Sequence, residues 1–526
     1  MIEPPLSANR QIARAAGTVM FAIVLGQITG LLRGILVARA FPAAELDAFF
    51  AANRVSETLF TLLAAGALGS AFIPTFTGFL AKDDRASAWK LASSIANLLI
   101  LTLSLIAALA AIFAPQIVRY ALAPGLATDP VLFPLTVNLL RIQLASAVLF
   151  GLGGLIVGIL NAHQIFLIPA LTPSMYQLGL IFGVLVLAPK MGIYGLAWGV
   201  VIGAALYLLL QIPSLLKQRG TYSPSLGLEN AAVREVFRLM GPRVLGVAVV
   251  QLNFWVNVNL ASKMALGSVA GLQYGFSLML MAQAAIAQSV AIAAMPTFSA
   301  QFALGKLDEM RASLASSLRG VIFLALPASL GLILLREPFV SMLYQRGEFD
   351  ARMTSLVAWA LLWYAAGLVG HSILEVLTRA FYAQHDTKTP VLVGAVAMGL
   401  NVVFSFAFAA LFESIGWMPH GGLALANSLA TALEVTTLFI LMRKRLRGMD
   451  EGHLARGFGA SGLAALGMAI GLLAWMQATN GSNHWIIGLG GVAIGGFVYF
   501  IVVWALRVPE LYLVLGAIRR RLGRVA

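Results

Sequence analysis

Residues 90–113 read KLASSIANLLILTLSLIAALAAIF, and this stretch decides the class of fold. It contains no acidic residue, and its single basic residue, Lys90, stands at one end. A helix of that length covers about 36 Å, which exceeds the roughly 30 Å hydrocarbon core of a bilayer. The stretch is therefore predicted to be a membrane-spanning helix.

Similar apolar runs recur along all 526 residues, of which 60% are apolar and 11% charged. Soluble domains carry about a quarter charged residues. The polar gaps are short, so the sequence predicts an all-α integral membrane protein without a soluble domain. The predicted spans, numbered 1 to 14, cover residues 18–40, 47–72, 90–113, 133–160, 168–188, 192–215, 242–262, 272–300, 314–335, 355–380, 390–412, 421–442, 457–477 and 484–506.

The formal net charge of +14 is distributed unevenly across the predicted loops. If residue 1 lies in the cytoplasm and basic residues near the ends of spans are assigned to the nearer side, 25 of the 35 Lys and Arg fall on cytoplasmic segments and seven fall outside. The other three, Arg33, Arg54 and Arg141, lie within spans. This asymmetry follows the positive-inside rule and predicts a multi-pass protein of the bacterial inner membrane with both termini in the cytoplasm. The basic excess indicates contact with anionic membrane lipids, and no nucleic-acid partner is expected.

An internal repeat organises the spans into two halves. Three landmarks recur at offsets of 221, 227 and 223 residues: Asn161–Pro169 with Tyr382–Pro390, Gly195–Ala197 with Gly422–Ala424, and Pro115 with Pro338. We therefore predict two six-helix lobes in parallel repeat, residues 1–220 and 221–447, followed by two added helices in residues 448–526. Parallel repeats are typical of transporters that work by alternating access, and the alternative is a static bundle after gene duplication.

Span 1 carries Gly26, Gly30 and Arg33 at helical spacing on one face. Glycines at such spacing allow a second helix to approach closely. An arginine on that face would lie against a packed helix or a hydrated cavity, because a charge within the membrane rarely faces lipid.

Span 2 carries a polar stripe of Asp47, Arg54, Glu57, Thr58 and Thr61. Such a stripe is expected to line a hydrated vestibule rather than face lipid. Its arginine, like Arg33, could bind a phosphate through two hydrogen bonds or could pair with a neighbouring carboxylate. Both interpretations stay open at this point.

Other spans hold candidate groups for coupling to an ion. Glu375 and Arg379 in span 10 are spaced as a helical ion pair, and Glu434 stands alone in span 12 as a carrier of a proton or cation, or as a neutral carboxyl. Asn257 in span 7 and Asn401 in span 11 could offer oxygens to a small cation, but hydrogen bonding between helices is favoured.

No catalytic group stands out in the sequence. The chain has no cysteine, which excludes disulfides, thiolate metal sites and cysteine nucleophiles. Asp83-Asp84 is an acidic pair on a loop, but it is flanked by Lys82 and Arg85 and is interpreted as a solvated turn. We therefore expect neither an enzyme, nor a cofactor, nor a bound metal.

Ordered short motifs carry a resemblance to a known family over essentially the full length. They are Leu36–Phe41 with Asp47–Phe50, Gly66 and Ala71–Pro74, Ala123–Gly125, Leu139–Arg141, Gly158–Ala162, Ile168–Pro169, Met240–Pro242, Tyr344–Phe349, Ala380–Ala383, Asp386–Pro390 and Gly422–Ala424. In order and spacing the chain resembles the MurJ (MviN) lipid II flippases of the MOP exporter superfamily.

The resemblance implies a flippase that moves a polyprenyl-diphosphate-linked peptidoglycan precursor from the inner to the outer leaflet. It implies a cationic cavity for the head group, matched here by Arg33 and Asp47, and a groove for the lipid tail at the last two helices. Coupling to membrane potential, H⁺ or Na⁺ is expected, as are cell-wall synthesis enzymes as partners.

The chain departs from the family at several hallmark positions. Gln27 follows Gly26 where a Ser-Arg pair is usual, and arginines of the family fall on Phe60 and Ser277. The family's Glu-Gly pair in span 2 reads Ala65-Gly66 here. The candidate substrate-binding residues are therefore Arg33, Arg54, Asp47, Glu57, Gln27 and Ser277. The alternatives to lipid II transport are flipping of a different lipid-linked glycan and a non-transporting scaffold for envelope enzymes.

Overall fold

The computed structural model describes residues 8–62 and 69–511, and within these ranges the chain is helical without a strand. Short π-helical or 3₁₀ turns connect several of the helices. The helices of nine or more residues, numbered α1 to α18, are Ala8–Ala40, Ala43–Phe60, Gly69–Ala81, Arg85–Ile112, Leu132–Ala162, Leu167–Phe182, Ile193–Leu209, Ala231–Ser262, Ser268–Gln283, Ser289–Ala303, Leu307–Leu334, Arg336–Tyr344, Ala351–Ala366, Leu368–Ala383, Lys388–Ser414, His420–Arg445, Glu451–Ala478 and His484–Ala505.

Among the described residues, 11 helical stretches are long and apolar enough to cross a membrane. The pair α13–α14, which is bent by 47°, supplies a twelfth if it is counted as one span. Each of these twelve coincides with a predicted span, from span 3 to span 14. The chain is therefore a multi-pass membrane protein.

The first two predicted spans, residues 18–40 and 47–72, are not among these twelve, so the count of fourteen is not confirmed. The helix α2 carries four charged residues, Glu45, Asp47, Arg54 and Glu57, within 18 positions, which is too many for an ordinary apolar span. In the region of predicted span 2, the described residues are helical over Ala43–Phe60 and over Gly69–Ala81. Ala65 and Gly66, between them, lie outside the described residues, as does the basic tail at Arg519–Arg521.

The break inside span 10 has a packing cause. Gly367 separates α13 from α14, and a Cβ atom there would lie 2.4 Å from the Ser428 hydroxyl oxygen on α16. The missing side chain therefore lets the junction of α13 and α14 approach α16.

The chain divides into two compact units. The first contains residues up to Val269 together with Gly347–Phe349, and the second contains Ala270–Arg346 and the residues from Asp350 onward. This division differs from the predicted lobe boundary at residue 220, because α8 packs with α2, α3 and α4 of the first unit. The three predicted segments 1–220, 221–447 and 448–526 rest on the sequence repeat and stay a prediction.

Each unit has its own apolar core. In the first, Phe72, Phe76, Leu91 and Ile95 of α3 and α4 are buried with Val236 of α8. In the second, residues of α10, α11, α14 and α16 form one cluster, and α17 and α18 form another with the end of α11. Tyr499 ties the added helices to α11 by donating a 2.6 Å hydrogen bond to the Phe323 carbonyl.

The helices also carry large apolar side chains that no protein group covers. Val396 on α15, Ile470 on α17 and Phe497 on α18 are 66%, 70% and 64% exposed. Exposed apolar surface on this scale is unfavourable in water but is what a bilayer requires of its spanning helices. These faces therefore mark the lipid-contacting side of the bundle.

Glycines allow a close contact between α6 and α7 in the first unit. A Cβ at Gly179 would lie 2.2 Å from the Gly203 Cα, so neither position admits a side chain. Small residues that let backbones approach are the usual means of helix association in membranes.

Candidate substrate-binding site of the first unit

The face of α1 that holds Gly26 and Gly30 packs against α6. A Cβ at Gly26 would lie 3.7 Å from the Ser174 hydroxyl oxygen, and one at Gly30 would lie 3.7 Å from Gln177 Nε2. This geometry agrees with the close helix approach predicted from the glycine spacing. It also brings polar side chains of α6 to the face that carries Arg33.

Arg33 is half-buried on α1, and its Nε atom is buried without a hydrogen-bond acceptor. Within the described part of the chain, no carboxylate pairs with its guanidinium. The Tyr176 side chain lies close enough to Arg33 and Glu57 to interact electrostatically with both. An arginine without a carboxylate partner keeps guanidinium donors for a ligand, and the planar arrangement of these donors suits a phosphate.

Arg54 on α2 has a different environment. Its Nη1 atom lies 3.0 Å from the Glu57 carboxylate, and the guanidinium carbon lies 4.9 Å from the centre of the Phe254 ring. The Arg54 side chain is 10% exposed, whereas that of Glu57 is 46% exposed. Of the two interpretations left open for Arg54, the structure has the ion pair, which leaves this arginine engaged by protein groups.

The next residue of the α2 stripe joins α2 to α8. The Thr58 hydroxyl donates a 2.7 Å hydrogen bond to the Arg54 carbonyl and accepts one of 2.8 Å from the indole nitrogen of Trp255. Gln251 Oε1 lies 3.3 Å from the same hydroxyl. These hydrogen bonds fix the rotation of α2 about its axis and thereby set the orientation of the Arg54–Glu57 pair.

Three other predicted substrate residues have positions less suited to that role. Asp47 is 1% exposed, and its Oδ2 atom accepts a 2.6 Å hydrogen bond from the Gly267 amide, so the carboxylate holds the loop after α8. Gln27 is exposed on α1. Ser277 belongs to the second unit, where its hydroxyl donates to the Gln273 carbonyl at 2.7 Å.

An aromatic cluster occupies the position where the family resemblance places an arginine in span 2. The Phe60 ring lies 4.7 Å from Phe150 and 6.2 Å from Tyr207, and Phe150 also meets Tyr176 edge-on at 5.1 Å. These contacts resemble those of an apolar core. The cationic surface of this region is therefore smaller than the resemblance implied.

Sequence reasoning missed Ser174 and Gln177 on α6, and Gln251 and Trp255 on α8. Their signal was present, because each pair is polar or amphipathic and recurs at i, i+3 or i, i+4 inside an apolar run. What the sequence did not indicate is which helices meet α1 and α2.

The groups predicted to couple an ion lie in both units. In the first, Asn257 Nδ2 lies 3.4 Å from Asn253 Oδ1, a contact within one helix. In the second, Asn401 is buried and accepts a 3.2 Å hydrogen bond from Ser405. Glu375 pairs with Arg379 at 2.5 Å, whereas Glu434 has no such partner in the described residues.

No group of three or more His, Asp or Glu side chains is placed to hold a metal ion anywhere in residues 8–62 and 69–511. Arg141, in predicted span 4, is exposed and donates a 3.0 Å hydrogen bond to the Ala111 carbonyl at the end of α4. It therefore caps a helix end.

Comparison with known proteins gives one consistent family. A family model described as lipid II flippase MurJ matches residues 37–489. The lipid II flippase MurJ of Burkholderia cenocepacia is 32% identical over 439 residues, which cover 82% of this chain and 84% of that protein. A probable lipid II flippase MurJ of Vibrio cholerae is 28% identical and covers 96% of this chain and 98% of its own length.

Solved structures agree with the sequence comparisons. A lipid II flippase MurJ in an inward closed conformation superposes with a TM-score of 0.80 at 25% identity, covering 93% of this chain and 98% of that one. An inward-facing multidrug resistance MATE family transporter of the MOP superfamily gives a TM-score of 0.69 at 16% identity and covers 83% of this chain and 99% of that one. The second likeness concerns the fold alone.

Proposed function

Because this chain belongs to the MurJ family of lipid II flippases, we propose that it moves lipid II from the inner to the outer leaflet of the bacterial inner membrane. Lipid II is a peptidoglycan precursor linked through a diphosphate to a polyprenyl tail. The observation that carries the proposal to particular residues is Arg33, a half-buried arginine with no carboxylate partner in the described residues. The transport step breaks no covalent bond, so the protein acts as a transporter and not as an enzyme.

Arg33 is the residue we assign to the diphosphate. Its planar guanidinium can donate two parallel hydrogen bonds to phosphate oxygens, each stronger than a bond between neutral groups. We assign further hydrogen bonds with the head group to the side chains of Gln177, which lies beside Gly30, and Tyr176 on the neighbouring helix. Arg54 plays a supporting part, because it holds Glu57 and keeps that carboxylate from pairing with Arg33.

The membrane potential can supply the driving force for this direction. The diphosphate carries roughly two negative charges, and moving one charge through 100 mV changes the free energy by about 2.3 kcal/mol. Since the cytoplasm is negative, outward movement of the head group is favourable. Alternating access between the two halves, coupling to H⁺ or Na⁺, cytoplasmic termini and recruitment of cell-wall synthesis enzymes belong to the same proposal.

A different lipid-linked glycan is the second candidate, and the aromatic cluster around Phe60 favours it. Where the resemblance places arginines, this chain has Phe60 in an aromatic cluster and Ser277, so fewer cations are available for a large anionic head group.

Both candidates are tested by the same assay. The purified protein is reconstituted into liposomes containing fluorescent lipid II, and the fraction that becomes accessible to a membrane-impermeant quencher is followed with time. We expect protein-dependent transfer of lipid II that unlabelled lipid II inhibits. Inhibition by another polyprenyl-diphosphate glycan in place of lipid II would establish the second candidate, and a rate equal to that of empty liposomes would leave the scaffold alternative.

A further inference from the structure

Glu434 lies near the middle of α16 and lines a groove between α16 and α15 of the second unit. The groove has a volume of about 230 Å³, and apolar side chains such as Leu392, Val396 and Leu433 form most of its wall. Leu392 and Val396 are each 66% exposed, so the groove opens on a face that contacts hydrocarbon in a bilayer. A carboxyl group thus lies at the wall of an apolar groove that opens on this face.

The Glu434 side chain is enclosed but unpaired. The residue is 8% exposed, and no described residue forms a hydrogen bond or ion pair with its carboxyl group. A Cβ at Gly394 would lie 3.1 Å from Glu434 Oε1, so the glycine on α15 provides the space that this oxygen uses. An isolated carboxylate in such surroundings costs several kcal/mol even after the protein relaxes.

The helices packed on α16 do not bring a counter-charge to Glu434. On α14, Glu375 and Arg379 pair with each other, and the Nε2 atom of His371 lies 3.0 Å from Asn427 Oδ1 and 3.3 Å from Thr431 Oγ1. On α15, the charged residues Lys388 and Glu413 are near its two ends. Lys388 is six positions, or about 9 Å along the axis, from Gly394, the residue of α15 that faces Glu434 Oε1.

The same holds for α13 and for α16 itself. The charged residue of α13 is Arg352, in its first turn, and Tyr364 is titratable near its other end. On α16, His420 is the first residue, and Arg443, Lys444 and Arg445 are in the last turn, at least nine positions and therefore about 13 Å from Glu434 along the axis.

We propose that Glu434 is a proton-binding site of the second unit, opening to the groove between α15 and α16. The carboxyl group holds a proton while hydrocarbon fills the groove and releases it to water when the groove becomes hydrated. The proton is taken from water and returned to water, so no other reactant is needed. This site belongs to the second unit, whereas the candidate substrate residues Arg33 and Arg54 belong to the first.

The test uses two carbodiimides on the wild-type protein in liposomes. Dicyclohexylcarbodiimide enters hydrocarbon and adds to protonated carboxyl groups, whereas a water-soluble carbodiimide with an added amine reports carboxyl groups that face water. Peptide mass spectrometry then locates each adduct. The chain supplies matched controls in Glu375, which is paired with Arg379, and in Glu413, which is exposed at the end of α15.

We expect dicyclohexylcarbodiimide to label Glu434 about tenfold or more above Glu375, because an ion pair disfavours the protonated form of a carboxyl group. The labelling should fall as the pH is raised, and Glu413 should react with the water-soluble reagent. In the Glu434→Gln variant the adduct should disappear from this peptide with the other sites unchanged.

Labelling of Glu434 by the water-soluble reagent alone, or labelling that does not change with pH, would overturn the proposal. The measurement on wild-type protein does not require the variant to fold. It also does not require transport, so its failure is distinguishable from failure of the flippase assignment.

Discussion

The two units differ in which charge they leave without a protein partner. The first has a polar face with one arginine paired, Arg54 with Glu57 at 3.0 Å, and one arginine, Arg33, without a carboxylate. Within the predicted spans of the second unit, Glu375 is paired with Arg379 at 2.5 Å and Glu434 has no described partner. The pairs are similar helical neighbours, but the unpaired charges have opposite sign.

This difference separates groups that hold structure from groups that are available for transport. A paired charge within a membrane is already satisfied, so a ligand must compete for it. An unpaired arginine favours an anion and an unpaired carboxyl favours a proton or cation. We therefore expect the substrate to bind the first unit at Arg33 and a proton to bind the second unit at Glu434.

The largest expected effect follows from removing the unpaired arginine. Arg33→Ala should lower the transport rate of lipid II by roughly 10- to 100-fold, because charge-assisted hydrogen bonds contribute about 1.5–3 kcal/mol. Fluorescent lipid II in proteoliposomes measures the rate, and Arg33→Lys should restore part of it.

Arg141→Ala is the matched control, since Arg141 is exposed and caps the end of α4. It should leave the transport rate within about twofold of the wild type. Equal losses of transport rate in Arg33→Ala and Arg141→Ala would contradict a specific role of Arg33 in transport.

The next prediction concerns the paired charges and is measured as a loss of stability to unfolding. Arg379→Ala leaves Glu375 half-buried without its partner and should destabilise the protein by about 1–3 kcal/mol. Arg54→Ala leaves Glu57, whose side chain is 46% exposed, and should cost less than about 1 kcal/mol. Thermal unfolding in detergent compares the two, and a larger loss in Arg54→Ala would reverse the order argued from exposure.

The sequence predicted most of the helices because their apolar runs are long and nearly uncharged. Spans 3 to 14 coincide with helices or helix pairs that are apolar enough to cross a membrane. Span 2 is not confirmed, and it is the span in which charge and apolar character mix. Four charged residues lie within Ala43–Phe60, and a further helix covers Gly69–Ala81.

For the candidate site, the sequence placed residues on helix faces but did not indicate what those faces contact. Periodicity placed Gly26, Gly30 and Arg33 on one face, and the structure packs that face against α6. Periodicity could not decide whether Arg54 binds a phosphate of the substrate or pairs with the Glu57 carboxylate, because both interpretations are consistent with the same residue spacing. Nor could it indicate that the Asp47 carboxylate holds the Gly267 amide, 220 positions along the chain.

The third prediction concerns the pH dependence of stability at Asp386, a paired acid outside the spans. Burial disfavours the charged form of Asp386, but hydrogen bonds from the Thr389 hydroxyl and amide and from Arg445 outweigh it and lower the pKa of Asp386 to about 2. Since this pKa lies below the ordinary value of 3.8, the stabilisation is present above about pH 4 and is lost as the pH falls toward 2.

Asp386→Asn isolates this contribution from those of other carboxyl groups. The wild type should unfold at a higher temperature than the variant at pH 6, and the difference should shrink between pH 4 and pH 2. A difference that stays constant over this range would mean that the Asp386–Arg445 pair does not stabilise the loop between α14 and α15.

The smallest effect concerns the hydroxyl that joins α2 to α8. Thr58→Val keeps the shape of the side chain but removes the acceptor of the 2.8 Å bond from Trp255, and it should cost about 0.5–1.5 kcal/mol. Because the Thr58 contacts orient the Arg54–Glu57 pair and not Arg33, the unfolding temperature should fall while the transport rate changes by less than about threefold.

Trp255→Phe removes the donor of the same bond. The loss of stability in the double variant should therefore be no larger than the sum of the losses in the two single variants. If Thr58→Val instead lowered transport as much as Arg33→Ala, the paired face of α2 would take part in binding the substrate, and the division between paired and unpaired arginines would have to be abandoned.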